Sequence, residues 1–381
     1  RKRPSPRPSD AEPDLITARS DVVGSLLRPK ELLEAQRLAA AGELAPGDLK
    51  VIEDRAVDHA LELQTEAGTE VVTDGEMRRL SFQSQLVAAV DGFSEWDIDA
   101  FLWGNWRSDD LGGVDIERPP LTVIDKLSRR RWLSADEFSY AHGRTEAILK
   151  VTLPSPSLFA NFWDPQTSTD AYGTLEDFLS DVAEILRQEV TELARLGCTY
   201  IQLDAPHYPL LIDPGYRDFY ESRGWPAERW LELGLELDNA VISGHEGVTF
   251  GFHLCRGNQM SRWLVSGGYD WLAARIFPAI RADRLLLEYD DERSGSFEPL
   301  REVPEDKIVV LGLVTTKSGR RETPAELTER IREAEKFVPL DRLALSPQCG
   351  FATSVKGNDI SFEEQGAKLK VIAETAKQLW A

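Results

Sequence analysis

From Leu15 onward the chain alternates two kinds of apolar pattern. Short runs rich in Val, Ile and Leu fall at 17–24, 70–74, 148–154, 199–204, 248–254, 284–290, 307–314 and 342–347. Each is too short for a stable helix and suits a strand buried on both faces. Between them lie stretches whose apolar residues recur every three to four positions, at 52–67, 176–196, 227–242, 260–276, 324–336 and 362–379, which predicts amphipathic helices. One of these opens Thr323-Pro324-Ala325-Glu326, a capping Thr followed by Pro at the first helical position. Eight strand–helix units predict an α/β fold. Parallel strands joined by right-handed crossovers can close on themselves, so the expected architecture is a single (β/α)8 TIM barrel over 16–381, with an open doubly wound sheet as the alternative.

Two segments break the rhythm. Residues 81–147, after the second strand, exceed an ordinary βα loop and carry Phe82, Phe93, Trp96, Phe101, Trp103 and Trp106, which predicts an ordered aromatic cap. Residues 207–225, after the fourth strand, carry His207, Tyr208, Tyr216, Phe219 and Tyr220. Both leave from C-terminal strand ends, the face on which barrels build their sites. Residues 1–15, rich in Pro, Arg and Ser, read as a flexible lead-in.

Composition narrows the function class. A formal charge of −21 over 381 residues argues against phosphate-backbone binding, so nucleic acid is not an expected partner. No apolar run reaches the ~18 residues of a membrane span and the basic start lacks a signal-like apolar core, so a cytoplasmic enzyme is expected and no membrane partner. Three cysteines cannot make a disulfide framework, and in a reducing compartment each needs a reason.

The strand ends supply two of those reasons. In Phe252-His253-Leu254-Cys255, residues two apart in extended chain point the same way, so His253 and Cys255 can converge on one ion. Neighbouring strands end in Glu288 and, within Ser346-Pro347-Gln348-Cys349-Gly350, in Cys349. An imidazole, a carboxylate and two thiolates suit Zn2+. Taken singly, each cysteine is explained as a small buried hydrophobe and His253 as a hydrogen-bonded core residue; their coincidence at three nearby strand ends favours metal. Cys198 precedes its strand, on the barrel's other face, and reads as structural. Ser25, Glu76 and Asp204 share the reactive face. A hydroxyl for a carboxylate and two acids for an ammonium make an amino-acid-shaped binding set, although Ser and Asp also favour turns and caps.

HLCRGN around His253 and Cys255, LLLEYDDERSG around Glu288 and LSPQCGF around Cys349 resemble the zinc motifs of the cobalamin-independent methionine synthase (MetE-like) family. The resemblance runs from about Val22 to the end. It implies a barrel whose zinc, on His253, Cys255, Glu288 and Cys349, binds the sulfur of homocysteine, with Ser25, Glu76 and Asp204 holding the amino and carboxylate groups. There are departures. The family's N-terminal folate-binding half has no counterpart, Ala205 stands where the full enzymes have Glu, and LGLVTTKSG lacks their proton-donating His. The wording resembles the short single-barrel branch, which includes the epoxyalkane:coenzyme M transferases.

The expected reaction is S-alkylation of a small thiol through a zinc-bound thiolate, with methyl transfer to homocysteine first and addition of coenzyme M to an epoxide as the alternative. A non-catalytic zinc- or thiol-binding barrel is more remote. The alkyl donor would be a methylfolate, a methylcorrinoid or an epoxide, and His207 is the first candidate to protonate its leaving group, with Tyr208 and Lys317 behind it. A sulfonate on the thiol would call for cations, and Arg28, Arg78, Arg79 and Arg256 are placed to serve, although surface ion pairs are the commoner fate of such residues.

Overall fold

The computed structural model describes residues 15–118, 120–222 and 224–380. Seven parallel strands form one curled sheet in chain order: β1 (Val71–Val72), β2 (Ile148–Pro154), β3 (Tyr200–Asp204), β4 (Thr249–Leu254), β5 (Arg284–Glu288), β6 (Ile308–Val314) and β7 (Leu343–Pro347). Most of their residues are buried on both faces, the consequence of helices outside and packed side chains within. The predicted run 17–24 is not a strand. It contributes a single bridge, Ser20 to Leu345.

That stretch nevertheless closes the barrel. Asp21 N donates to Leu345 O at 2.9 Å and Leu345 N to Arg19 O at 2.8 Å, while Val71 N donates to Ser20 O at 3.2 Å, so residues 19–21 join the two sheet edges. The ladder stops there because Glu70 captures the neighbouring donors: its Oε2 accepts from Arg19 N at 2.7 Å and Ser20 N at 2.9 Å. Buried charge pins the seam from inside. Asp21 pairs with Lys150 at 2.8 Å and Arg284 at 3.2 Å and accepts from the Tyr200 hydroxyl at 2.7 Å; Arg284 also donates to Ile16 O and Ala18 O.

Outside the sheet lie long helices, among them Pro46–Ala67, Leu175–Arg195, Ala227–Ile242, Pro324–Ala334 and Phe362–Leu379. The Thr323 cap is present as a reciprocal capping box with Glu326. The predicted helix 260–276 shrinks to Asp270–Ile276. Its first half instead turns through Met260 and Ser261 at positive φ, with Ser261 N held by the Asn358 side chain at 2.8 Å, and Gly267 at φ +144 ends the irregular stretch. The insertion 81–147 carries two antiparallel ribbons, Val90–Phe93 with Val123–Arg129 and Gly104–Trp106 with Val114–Ile116. The expected lead-in falls, but for Leu15, outside the described residues. Among those described, no helix is long and apolar enough to cross a membrane.

Candidate metal and thiol site

At the C-terminal mouth of the barrel the strand ends present their polar residues to one shared cavity. Register does the placing. Asp204 is the Cα partner of His253, so β3 and β4 deliver them side by side; Cys255 follows the end of β4, and Cys349 follows β7. The imidazole of His253 and the two thiols are buried, and one donor atom from each lies within 4.8 Å of the others. The two sulfurs are 3.4 Å apart.

His253 Nδ1 sits 3.1 Å from Leu286 O, which fixes the ring, and Nε2 is buried with no hydrogen-bond partner. A buried, unpaired nitrogen is costly unless something binds it. Burial pulls the His253 pKa down, but Cys255, Asp204 and the Leu286 carbonyl more than reverse this and raise it. The neighbouring Cys349 sulfur and burial push the Cys255 thiol well above its usual range. Two crowded thiols and an orphaned imidazole nitrogen fit a soft divalent ion, and this trio can bind a metal.

Glu288, the expected fourth ligand, is fully buried close by but lies outside this tight group. Its Oε2 accepts from Arg256 N at 2.7 Å and its Oε1 from Lys317 Nζ at 3.2 Å. Burial alone would raise its pKa; Lys317, Arg256 and Arg293 overcome that and hold it at about 2. Lys317 also binds Asp290 at 2.9 Å, so it is committed to two carboxylates.

Ser25, Glu76 and Asp204 all line the same cavity and all are buried. Glu76 has φ +56, a strained backbone for a non-glycine residue; Oε1 accepts from Thr152 Oγ1 at 2.8 Å and Oε2 has no partner. Asp204 accepts from Gln202 at 2.7 Å, and burial raises its pKa to about 6. Ser25 packs so closely against Gly350 that a Cβ there would stand 2.1 Å from its Oγ.

His207 also reaches the cavity. Its Nε2 lies 2.7 Å from Ser157 Oγ and its Nδ1 is unpaired; burial lowers its pKa to about 3, so it is a neutral imidazole near neutrality. Tyr208 is bound to Asp238 at 2.6 Å.

The four arginines expected as candidates for an anion are engaged with groups of the protein. Arg28 spends its guanidinium on the carbonyls of Glu76, Arg79, Ala352 and Ser354. Arg78 binds Asp54 and lies over the Tyr140 ring at 4.7 Å. Arg79 pairs with Glu137 and Thr152 and lies 3.8 Å from Glu76 Oε1, and Arg256 donates to the carbonyls of Gly267 and Glu288. None of the four lines the cavity, nor does any lysine or arginine among the described residues.

Sequence reasoning missed Asn161, Asn258 and Gln259, which add polar atoms to the wall. The run HLCRGNQ contains the last two just past a strand end, and that position was the available signal. Asn258 donates to Gly350 O at 2.6 Å and to Thr316 Oγ1 at 3.1 Å, holding the loop that carries Cys349.

Residues 15–378 match the cobalamin-independent synthase catalytic domain. The chain belongs to that family. Among its relatives, the uncharacterized protein YxjH of Bacillus subtilis is 34% identical over 366 residues, covering 95% of this chain and 94% of that protein. A methionine synthase of Thermococcus kodakarensis is 25% identical, covering 87% and 86%. The structure of a candidate vitamin-B12-independent methionine synthase of Listeria monocytogenes aligns with TM-score 0.71 at 25% identity, over 97% of this chain and 99% of that one. At 20% identity, a B12-independent methionine synthase of a Shewanella species shares the fold, with TM-score 0.70 over 95% and 98%.

Proposed function

We propose that this chain is a zinc-dependent methyltransferase acting on the sulfur of a small amino-acid thiol, with homocysteine as the acceptor. The observation that carries the reading is the convergence of the His253, Cys255 and Cys349 donor atoms on the cavity that also presents Ser25, Glu76 and Asp204. Membership of the synthase family supports methyl transfer as the reaction class.

Zinc on these three residues would hold an incoming thiol as its thiolate, which stays nucleophilic at neutral pH. The chain's own groups do the rest. Leu286 O orients His253. Glu76 Oε2 and Asp204 accept from the substrate ammonium, whose arrival favours the ionised form of Asp204. The Ser25 hydroxyl donates to the substrate carboxylate, and the 81–147 cap excludes water from the reacting carbon. Glu288 is assigned as the fourth ligand; to serve, its carboxylate gives up Lys317 or the Arg256 N–H.

The coenzyme M reading is less favoured, because a sulfonate would meet carboxylates in a cavity that no lysine or arginine among the described residues lines. The test is incubation of the zinc-loaded chain with homocysteine and a panel of methyl donors, with S-methyl products read by mass spectrometry. Methionine is the expected product. Absence of any methylated thiol with every donor would sink the proposal.

A further inference from the structure

The proposed reaction needs a methyl donor, and the wall facing that donor has a definite chemistry. Phe101, Trp103 and Trp106 from the cap and Tyr216 and Tyr220 from the 207–225 segment line the cavity. Trp103 and Tyr216 stand with ring centroids 6.2 Å apart at 48°, so their faces are inclined and not stacked flat. Gly104, at φ +136, makes this approach possible: a Cβ there would come within 2.8 Å of the Tyr216 hydroxyl. The hydroxyls of Tyr216 and Tyr220 and the Asn161 side chain are buried, so the wall has electron-rich oxygens beside its π faces. Glu76 and Asp204 present carboxylates to the space; Arg79 lies behind Glu76 at 3.8 Å, and no lysine or arginine among the described residues lines the space itself.

Aromatic faces, buried oxygens and carboxylates in a wall lined by no lysine or arginine among the described residues select for a positively charged, weakly hydrated guest. An anionic donor would enter against that charge. We infer that the methyl donor is an onium cation, a methylsulfonium or a quaternary methylammonium compound, seated among Trp103, Trp106, Tyr216 and Tyr220. The inference rests on the methyltransferase reading above and gives its missing substrate class. In the step itself, the acceptor sulfur, its proton already lost, attacks the methyl carbon. A new S–CH3 bond forms as the C–S+ or C–N+ bond breaks, and the electron pair leaves on a neutral sulfide or amine. No proton goes to the leaving group. This agrees with His207, which is held by Ser157 and keeps no imidazolium at the cavity near neutral pH.

The test uses the zinc-loaded full chain in two arms. Choline and its neutral tert-butyl isostere are compared as ligands by tryptophan fluorescence and calorimetry; the cation is expected to bind roughly tenfold tighter or better, the worth of a desolvated cation–π contact. Trp103→Leu is expected to abolish the preference and Trp103→Phe to retain it. In the second arm, trimethylsulfonium with deuterated methyl groups is supplied with homocysteine, and labelled methionine is expected. Equal binding of the two isosteres in the unmutated chain would overturn the inference. So would labelled product from a methylfolate or methylcorrinoid with none from the onium donors, an outcome that leaves the methyltransferase reading standing. No methylated thiol from any donor would remove both.

Discussion

Gly350→Ala tests how the acceptor is held. The new Cβ would lie 2.1 Å from Ser25 Oγ, 3.2 Å from Ser25 N and 3.3 Å from Ser25 Cβ. Rotating the hydroxyl relieves only the first contact. The other two are to the backbone and its first carbon, so Ser25 or the Cys349–Gly350 loop must shift by several tenths of an ångström. Overpacking of this kind costs about 1–3 kcal/mol of stability. Displacing the hydroxyl also removes a hydrogen bond to a charged carboxylate, worth about 1.5–3 kcal/mol, which corresponds to roughly 10–150-fold in acceptor affinity. Steady-state kinetics with homocysteine should show KM raised by that factor, and urea denaturation should show the stability loss. Ser25→Ala is the companion: it lacks the clash, so it should raise KM while keeping near-normal stability. An unchanged KM in both variants would refute the assignment of Ser25 to the substrate carboxylate.

Other outcomes follow from groups already placed. Cys349→Ala should lose most bound zinc by elemental analysis together with S-methylation, since one of three clustered donors is gone; full activity without metal would reject the ligand set. Lys150→Met leaves Asp21 short of one buried partner and should cost about 3–5 kcal/mol in denaturant titrations, where a cost below 1 would show the seam to be held otherwise. Asp238, buried and bonded to Ser155 and Tyr208, has its pKa raised by burial from 3.8 to about 7. The folded state therefore keeps a proton that the unfolded state has released, so this contribution to stability is complete below pH about 4 and disappears as pH rises through about 7. Asp238→Asn should flatten that portion of the Tm-versus-pH curve, and parallel curves for the two proteins would count against it.

Much of the frame could be read from apolar periodicity. The helix at 227–242 has the predicted bounds, as has the one at 362–379, and β2 matches its run, because in these places packing and periodicity ask for the same thing. The failures have a common cause: side chains that replace backbone pairing. Gln64 accepts from Thr73 N and donates to Thr73 O, which ends β1 after two residues although the strand was expected to reach 74. Glu70 does the same to Arg19 and Ser20. Periodicity cannot show that a carboxylate or amide has taken a ladder position. At the site, residue type and strand-end position pointed to His253, Cys255 and Cys349, whose donor atoms do meet. The partners of the arginines were illegible for the complementary reason. Their charge is visible in the sequence, but the carbonyls of the loops around Ala352 and Ser354 that occupy Arg28 are created only by the fold.

The junction between residues 19–21 and Leu345 carries a consequence for synthesis in the cell. A ribosome must release nearly the entire chain before residues 19–21 can meet Leu345, and the sulfurs of Cys255 and Cys349 are themselves 94 positions apart. Partial barrels emerging earlier have two open edges and no completed thiol pocket, so premature, half-formed chemistry is unavailable to them. Competence to react arrives late and all at once, with the final turn of the wall.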